Sequence, residues 1–166
     1  MNRRHFAIKA MGYLAFAGSA WRLQAAQTTP LQPFDGTSLT ALKKMHAGKP
    51  FVLSFWALHC EPCRDEMAEW RAVKAKHPAL AIELVSTDTT RDASVIDAFF
   101  VKYPPGAVRR WVFADPMSER VRYSVDTAWR GELPKTWFFD AAHKAEVKSG
   151  KVERAWVYNW LQRVTA

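Results

Sequence analysis

The chain has 166 residues, of which 49% are hydrophobic and 24% charged, and it contains two cysteines. This length and composition fit one globular domain and exclude a disordered or collagen-like chain. Two cysteines cannot form a disulfide-rich scaffold, nor can they complete a zinc site without other ligands. No apolar run approaches the roughly 20 residues that a membrane-spanning helix needs.

Residues 1–26 have the layout of a secretory signal. Arg3 and Arg4 precede an apolar run over 11–21, and small residues follow it. The start also resembles the twin-arginine export signal, whereas an uncleaved amphipathic helix or short anchor is the alternative. We therefore expect residues 1–26 to be a signal peptide or N-terminal anchor and the remaining chain to work in the periplasm.

The net charge of the chain depends strongly on this leader. Lys and Arg number 24 in the whole chain and 20 without residues 1–26, against 16 acids in both cases, so the net charge falls from +8 to +4. No basic run with interleaved aromatic residues supports nucleic-acid binding. We therefore expect a solvated basic surface and no nucleic-acid partner.

The rest of the chain predicts an exposed lead-in followed by one domain. Residues 27–36 contain Pro30, Pro33 and Gly36 and are typical of an exposed segment. Over residues 37–166, helical spacing predicts helices that begin near Ser38, Cys63, Asp92 and Glu153 and a weaker one that ends near Tyr123. Apolar runs predict strands at 51–56, 81–86, 111–114, 136–140 and 146–149. Alternating helices and strands, with a final hairpin and helix, predict an α/β sandwich around one mixed sheet.

Two of these helices have a predicted core face. In the helix after Asp92 the predicted core residues are Val95, Ile96, Phe99 and Phe100. In the last helix they are Ala155, Trp156, Asn159 and Trp160.

A C-x-x-C pair lies between the buried strand 51–56 and the following helix. Cys60 falls at the helix N-terminus, where unpaired N–H groups and the helix dipole favour a thiolate, and the thiolate is the form that attacks a disulfide. Cys63 lies one turn later, shielded but within reach of a mixed disulfide on Cys60. Pro62 fits the first helical turn because the N–H that it lacks has no partner there.

Three other uses of the cysteine pair are weighed against this one. A zinc site needs a second ligand pair, and the five histidines form no second cluster. A copper site needs more sulfur or imidazole ligands, while Met45, Met67 and Met117 are better explained as core residues. A structural disulfide across so short a loop adds little stability. We therefore predict no metal and no cofactor.

A second motif lies in residues 131–140, where Pro134 precedes an apolar strand and must sit at its start or edge. Together the two motifs resemble the thioredoxin superfamily, in which a cis-proline precedes this strand. The resemblance implies a thioredoxin-like sandwich, a central mixed β-sheet flanked by helices, and a cis Leu133–Pro134 bond. It also implies that Pro134 packs beside the cysteines and excludes metal, while the Leu133 backbone pairs with an extended substrate.

Within that superfamily the chain is most similar to extracytoplasmic reductases of the TlpA/ResA type. Their pattern F-W-A-x-W-C-x-P-C-R-x-E-x-P is matched by Phe55, Trp56, Ala57, Cys60, Pro62, Cys63, Arg64 and Glu66. The similarity continues, with lower specificity, from about Pro33 to the C-terminus. It implies a thiol–disulfide oxidoreductase that acts on protein disulfides and receives electrons from a membrane thiol-relay protein. We expect a monomer.

The chain departs from these patterns at several positions. His59 replaces the usual tryptophan, Ala68 a common proline, and Ser54 the buried aspartate that assists the second cysteine in thioredoxin. Glu66 lies three residues after Cys63, so both can share one side of the helix. A partly buried carboxylate there has a raised pKa and can shuttle the proton of Cys63. The alternative is a surface glutamate.

The residues around Cys60 supply further candidates. A protonated His59 stabilises the Cys60 thiolate, or the side chain merely covers the rim of the site. Glu61 opposes thiolate formation and so disfavours a strong oxidant. The predicted substrate-binding set is Leu133, Pro134, Trp56, His59 and Trp129; Trp129 either forms part of a groove or covers the core.

These observations predict a periplasmic thiol–disulfide oxidoreductase that reduces specific protein disulfides. Cys60 is the nucleophile, Cys63 the resolving cysteine and Glu66 its proton acceptor. A disulfide-forming oxidase and a non-catalytic binding module, such as a metal-delivery accessory, are the alternatives.

Overall fold

The computed structural model describes residues 29–165, so the predicted leader over 1–26 lies outside the described residues. The strands are β1 Leu31–Phe34, β2 Phe51–Trp56, β3 Ala81–Thr89, β4 Arg109–Phe113, β5 Lys135–Phe139 and β6 Ala145–Ser149. The helices are α1 Ser38–Met45, α2 Glu61–Lys76, α3 Ala93–Lys102, α4 Ser118–Val125 and α5 Arg154–Thr165, and a 3₁₀ turn at Thr90–Asp92 precedes α3.

The strands form one mixed sheet in the order β1-β4-β3-β2-β5-β6. The first four of these are parallel neighbours, whereas β5 is antiparallel to both β2 and β6. This arrangement confirms the predicted α/β sandwich with a central mixed sheet and a final hairpin and helix. Strand β2 lies in the interior of the sheet, which explains why all six of its residues are apolar or small and buried.

Each face of the sheet has its own hydrophobic core. Alternate residues of β2 point to opposite faces, so Val52 and Trp56 join one core and Phe51 and Phe55 the other. Helices α2, α3 and α5 cover the first core, and helices α1 and α4 cover the second. The cysteine pair lies where the chain passes from the end of β2 into the start of α2.

The prediction that residues 27–36 form an exposed lead-in is wrong over its second half. Residues 31–34 form β1, which pairs with β4 along its whole length, and the Phe34 side chain is fully buried. An edge strand tolerates Pro33 because its outer side needs no N–H donor. The prolines therefore mark the edge of the sheet in this segment rather than a loop.

Two predicted helix faces also need correction. In α3 the buried residues are Ile96 and Phe100, whereas Val95 is exposed. In α5 Ala155 and Asn159 are exposed, and the buried stripe is Val157, Trp160 and Leu161. In each helix a buried aromatic ring packs on a ring of the sheet, Phe100 on Trp56 and Trp160 on Phe138, and local spacing alone does not reveal such contacts.

A cluster of buried polar side chains lies away from the cysteine pair, near the start of β3. The Glu83 carboxylate is fully buried and lies 2.8 Å from His46 Nε2. Trp111 donates its indole N–H to the other carboxylate oxygen at 2.7 Å, and Arg109 lies 3.8 Å away. A buried carboxylate persists only where such partners replace water.

Replacing Glu83 with alanine should lower the free energy of unfolding by about 3 kcal/mol, because it leaves the indole N–H and the imidazole buried without an acceptor. Urea unfolding measures this loss. Glu146→Ala is the matched control, since it removes an exposed carboxylate paired with Arg163 and should cost less than about 1 kcal/mol. Equal losses in the two variants would contradict the assignment.

Candidate active site

Cys60 and Cys63 are joined by a disulfide at the start of α2. Cys60 is the N-cap residue, with an extended backbone, and its Sγ accepts the Cys63 backbone N–H at 3.3 Å. Pro62 lies within the first turn, where a missing N–H breaks no helical hydrogen bond. The sulfur of Cys60 therefore occupies the place that a capping oxygen takes in other helices, facing the positive end of the helix dipole.

The two sulfurs differ in accessibility. Cys60 is 8% exposed and Cys63 is fully buried. Of the two cysteines, only Cys60 offers part of its surface to a partner molecule, while Cys63 is directed into the core beneath α2. His59, immediately before Cys60, is exposed at the rim.

The loop that carries Cys60 is fixed by Asp88, a residue that the sequence analysis did not single out. The Leu58 backbone N–H donates to Asp88 Oδ2 at 2.9 Å. Ser86 donates its hydroxyl to the same oxygen at 2.6 Å. Asp88 belongs to β3, which extends three residues beyond its predicted end at Ser86. The sequence signal that could have identified Asp88 is the run of polar residues at the carboxyl end of a buried strand.

Glu66 lies one turn after Cys63, and its side chain is fully buried, so the alternative of a surface glutamate is wrong. Its Oε1 accepts the Val152 backbone N–H at 2.7 Å. Ser54, in β2, donates a long hydrogen bond of 3.5 Å to Oε2 and accepts one of 2.9 Å from Thr136. Burial raises the pKa of Glu66 to about 7, and these hydrogen bonds oppose the rise only in part.

The contribution of Val152 could not be read from the sequence, because it is a backbone group in the connection between β6 and α5. Ser54 and Thr136 are directly paired across β2 and β5. Their hydroxyls link the strand that follows Pro134 with the carboxylate next to the cysteines.

The Leu133–Pro134 peptide bond is cis. In the antiparallel register Lys135 lies opposite Phe55, which brings Pro134 to the end of β2 where the chain turns toward Cys60. Leu133 is half-buried and packs against the core cluster that includes both cysteines. The Pro134 carbonyl accepts the Gly150 N–H at 2.9 Å, which ties this loop to the end of β6.

Two tryptophans predicted to bind substrate are buried instead. Trp56 is fully buried and stacks on Phe99 with 4.6 Å between ring centroids. Trp129 is 3% exposed and packs against Phe55 and Trp137. Neither ring offers a face to a substrate, because both fill space in the cores. Trp129 donates its indole N–H to the Glu132 carbonyl at 3.1 Å, so it anchors the loop before Pro134 from beneath.

Within residues 29–165 no group of three or more His, Cys, Asp or Glu side chains is arranged to hold a metal ion. In the same part of the chain, each helix is too short or too polar to cross a membrane.

The fold and the site define a thioredoxin-like protein with a disulfide at the N-terminus of its second helix. The chain belongs to the AhpC/TSA family, whose model matches residues 24–147. It is 32% identical over 56 residues to the thiol-disulfide oxidoreductase ResA of Oceanobacillus iheyensis, a match that covers 34% of this chain and only 29% of that relative.

Solved structures share the fold. The structure of MTB DsbF in its mixed oxidised and reduced forms matches with a TM-score of 0.58 and 23% identity, over 73% of this chain and 84% of that one. A secreted Mycobacterium tuberculosis disulfide oxidoreductase, described as homologous to E. coli DsbE, matches with a TM-score of 0.55 and 22% identity, over 74% and 84% of the two chains. At these identities the likeness shows the fold, which is the thioredoxin-like sandwich predicted from the sequence.

The raised pKa of Glu66 predicts an unusual pH dependence of stability. The folded chain holds this proton up to about pH 7, whereas the unfolded chain releases it near the ordinary value of 4.5. Between these values the native state binds more protons than the unfolded state, so the free energy of unfolding of the oxidised protein should fall as pH rises. Glu66→Gln should remove this fall, as urea unfolding at a series of pH values will show.

Glu69→Gln is the control for this experiment. Glu69 lies on the same helix, but a hydrogen bond from Arg154 holds its pKa below the ordinary value, so its loss should leave the fall in place. A fall that persists in Glu66→Gln would contradict the assignment.

Proposed function

We propose that this protein is a thiol–disulfide oxidoreductase that reduces specific protein disulfides through Cys60 and Cys63. The observation that carries the proposal is the placement of the two sulfurs. Cys60 caps the positive end of α2 and retains some exposure, while Cys63 is fully buried one turn behind it. The site thus separates an attacking sulfur from a resolving one.

The reaction begins with both cysteines reduced. The Cys60 thiolate, favoured by the helix N-terminus and by the Cys63 N–H, attacks one sulfur of the target disulfide. A bond forms between Cys60 Sγ and that sulfur, the target disulfide breaks, and the other target sulfur leaves as a thiolate that takes a proton from solvent. The product is a mixed disulfide between Cys60 and the target.

Cys63 then resolves the mixed disulfide. Its thiol gives its proton to the Glu66 carboxylate and its sulfur attacks Cys60 Sγ, which releases the second target sulfur as a thiolate. The Cys60–Cys63 disulfide forms, and two electrons have passed to the target. A pKa of about 7 suits Glu66 to this task, because both protonation states are available near neutral pH.

Leu133 and Pro134 are the proposed substrate-positioning residues, because they lie at the end of β2 and Leu133 packs against the cluster that holds both cysteines. An extended target segment can align along this loop by backbone pairing, as in strand addition. His59 contributes an exposed side chain at the rim beside Cys60.

The setting that we propose is the periplasm, with the chain as a monomer. The leader-like composition of residues 1–26 supports export, and one protein of the same fold is described as secreted. Each turnover leaves Cys60 and Cys63 oxidised, so the protein needs an electron donor, for which a membrane thiol-relay protein is the proposed class.

Trapping tests the division of labour between the cysteines. Cys63→Ser should accumulate a mixed disulfide with a disulfide-bonded model protein, because the resolving sulfur is missing; Cys60→Ser should form none, because Cys63 is fully buried. Non-reducing electrophoresis and mass spectrometry identify the adduct.

The variant that lacks both cysteines controls for non-covalent binding. Adducts that form equally with either single variant would contradict the proposed roles. A complete absence of adducts would favour a non-catalytic binding module.

A disulfide-forming oxidase is the second candidate, because a thiolate stabilised at a helix N-terminus makes a dithiol pair more oxidising. Glu61, next to Cys60, and Glu66, next to Cys63 in the helix, both act against thiolate formation. We therefore expect a redox potential close to that of thioredoxin, about −270 mV, rather than about −120 mV as in a strong oxidant.

Equilibration with glutathione or dithiothreitol buffers measures this potential. Glu61→Gln should raise it, since the variant removes a negative charge beside the nucleophile, whereas Glu146→Gln, far from the site, should not. A wild-type value near −120 mV would favour the oxidase.

A further inference from the structure

A groove of about 300 Å³ runs along the first turns of α2, directly after the cysteine pair. One wall is formed by α2 and the other by the end of α3 and the residues that follow it. The residues that line the two walls include Arg64, Ala68 and Arg71 on the first and Lys102, Tyr103 and Pro104 on the second. The groove has no part in the exchange chemistry described above.

The groove begins at the residue that follows Cys63 in α2. Arg64 follows Cys63 in the chain, and its backbone N–H donates to the Cys60 carbonyl at 3.2 Å. A polypeptide held by Cys60 in a mixed disulfide therefore has the groove next to it along the helix.

Three of the eight residues that line the groove are cationic: Arg64, Arg71 and Lys102. Arg64 Cζ and Lys102 Nζ lie 5.9 Å and 5.3 Å from the centroid of the Tyr103 ring, a distance at which a cation is attracted to an aromatic face. Asp65 is the acidic residue of the lining. Arg64 also forms an ion pair with Glu61, with 3.1 Å between Arg64 Nη2 and Glu61 Oε1. Neither Lys102 nor the exposed Arg71 forms an ion pair within residues 29–165.

The chain that follows the second wall approaches α2 closely. Gly106 has φ +91°, and a Cβ there would lie 3.2 Å from Lys74 Cβ and 3.5 Å from Arg71 Cα. Only glycine allows so close an approach in this conformation. The segment that follows the second wall therefore packs directly on α2.

We propose that this groove binds an acidic segment next to the disulfide that Cys60 attacks, so that the preferred substrates are proteins with Asp or Glu flanking that disulfide. The proposal rests on the proposed function, because it names the substrate class of the same site. Lys102 and Arg71 have no ion-pair partner within residues 29–165, so their positive charges can attract an acidic segment. Charges at the rim of a site act mainly on the rate of association.

Two disulfide-bridged peptides with the same ring, one with acidic and one with neutral flanking residues, test the proposal. The reduced wild-type protein should reduce the acidic peptide with a kcat/KM about five-fold higher at low ionic strength, and the ratio should shrink as salt screens the charges. Arg71→Glu with Lys102→Glu should bring the ratio to one or below, because the groove then repels the acidic flank.

Lys49→Glu with Lys144→Glu is the matched control, since it makes the same change of net charge at exposed positions in the turns at the opposite end of β2 and β5. It should keep at least half of the wild-type preference. A wild-type ratio of one or below, or a ratio that falls equally in both double variants, would overturn the groove assignment. Failure of the wild-type protein to reduce even the neutral peptide would instead count against the oxidoreductase function.

Discussion

The hydrogen bond from the Cys63 N–H to Cys60 Sγ is the interaction on which the proposed chemistry depends. It exists because β2 ends in the interior of the sheet and the chain enters α2 within four residues, with Cys60 at the N-cap. A helix N-terminus has N–H groups without partners, and a sulfur at that point satisfies one of them. The same geometry that begins the helix therefore favours negative charge on one sulfur and buries the other.

Whereas the helix N-terminus favours a thiolate, Glu66 acts against one. It occupies an apolar layer between α2 and the sheet, where its two oxygens accept a backbone N–H and a long hydroxyl hydrogen bond, and Trp70 and Lys151 also lower its pKa. These partners are enough to hold the side chain in place but not enough to keep it ionised at mildly acidic pH. In the proposed mechanism, a protonated Glu66 leaves the Cys63 thiol undisturbed, whereas an ionised Glu66 accepts its proton. The site can thus respond to pH near neutrality without a histidine in its interior.

Much of this arrangement could be predicted from the sequence because it is local. The strand at 51–56 is bounded as predicted, and the helix predicted to begin near Ser38 does begin there. The helix that carries Met67, Trp70 and Val73 buries all three of them. Contributions from distant segments were missed, since Asp88 and the Val152 N–H reach the site only through the order of strands in the sheet. Trp56 and Trp129 are in the predicted substrate-binding set for a related reason, because nearness in sequence to a motif does not show which way a side chain points; the alternative that Trp129 covers the core agrees with its burial.

The two faces of the sheet hold their buried acidic groups in different ways, and this difference separates stability from chemistry. On one face, Glu83 has His46, the Trp111 indole N–H and Arg109 around it, so both of its carboxylate oxygens have partners. On the opposite face, Glu66 has no cationic side chain within 4 Å among residues 29–165. Burial without a nearby cation is the reason why the pKa of Glu66 is raised. It follows that a cation placed beside Glu66 would favour its ionised form and lower its pKa, and in the proposed mechanism this would make Glu66 a weaker acceptor for the Cys63 proton.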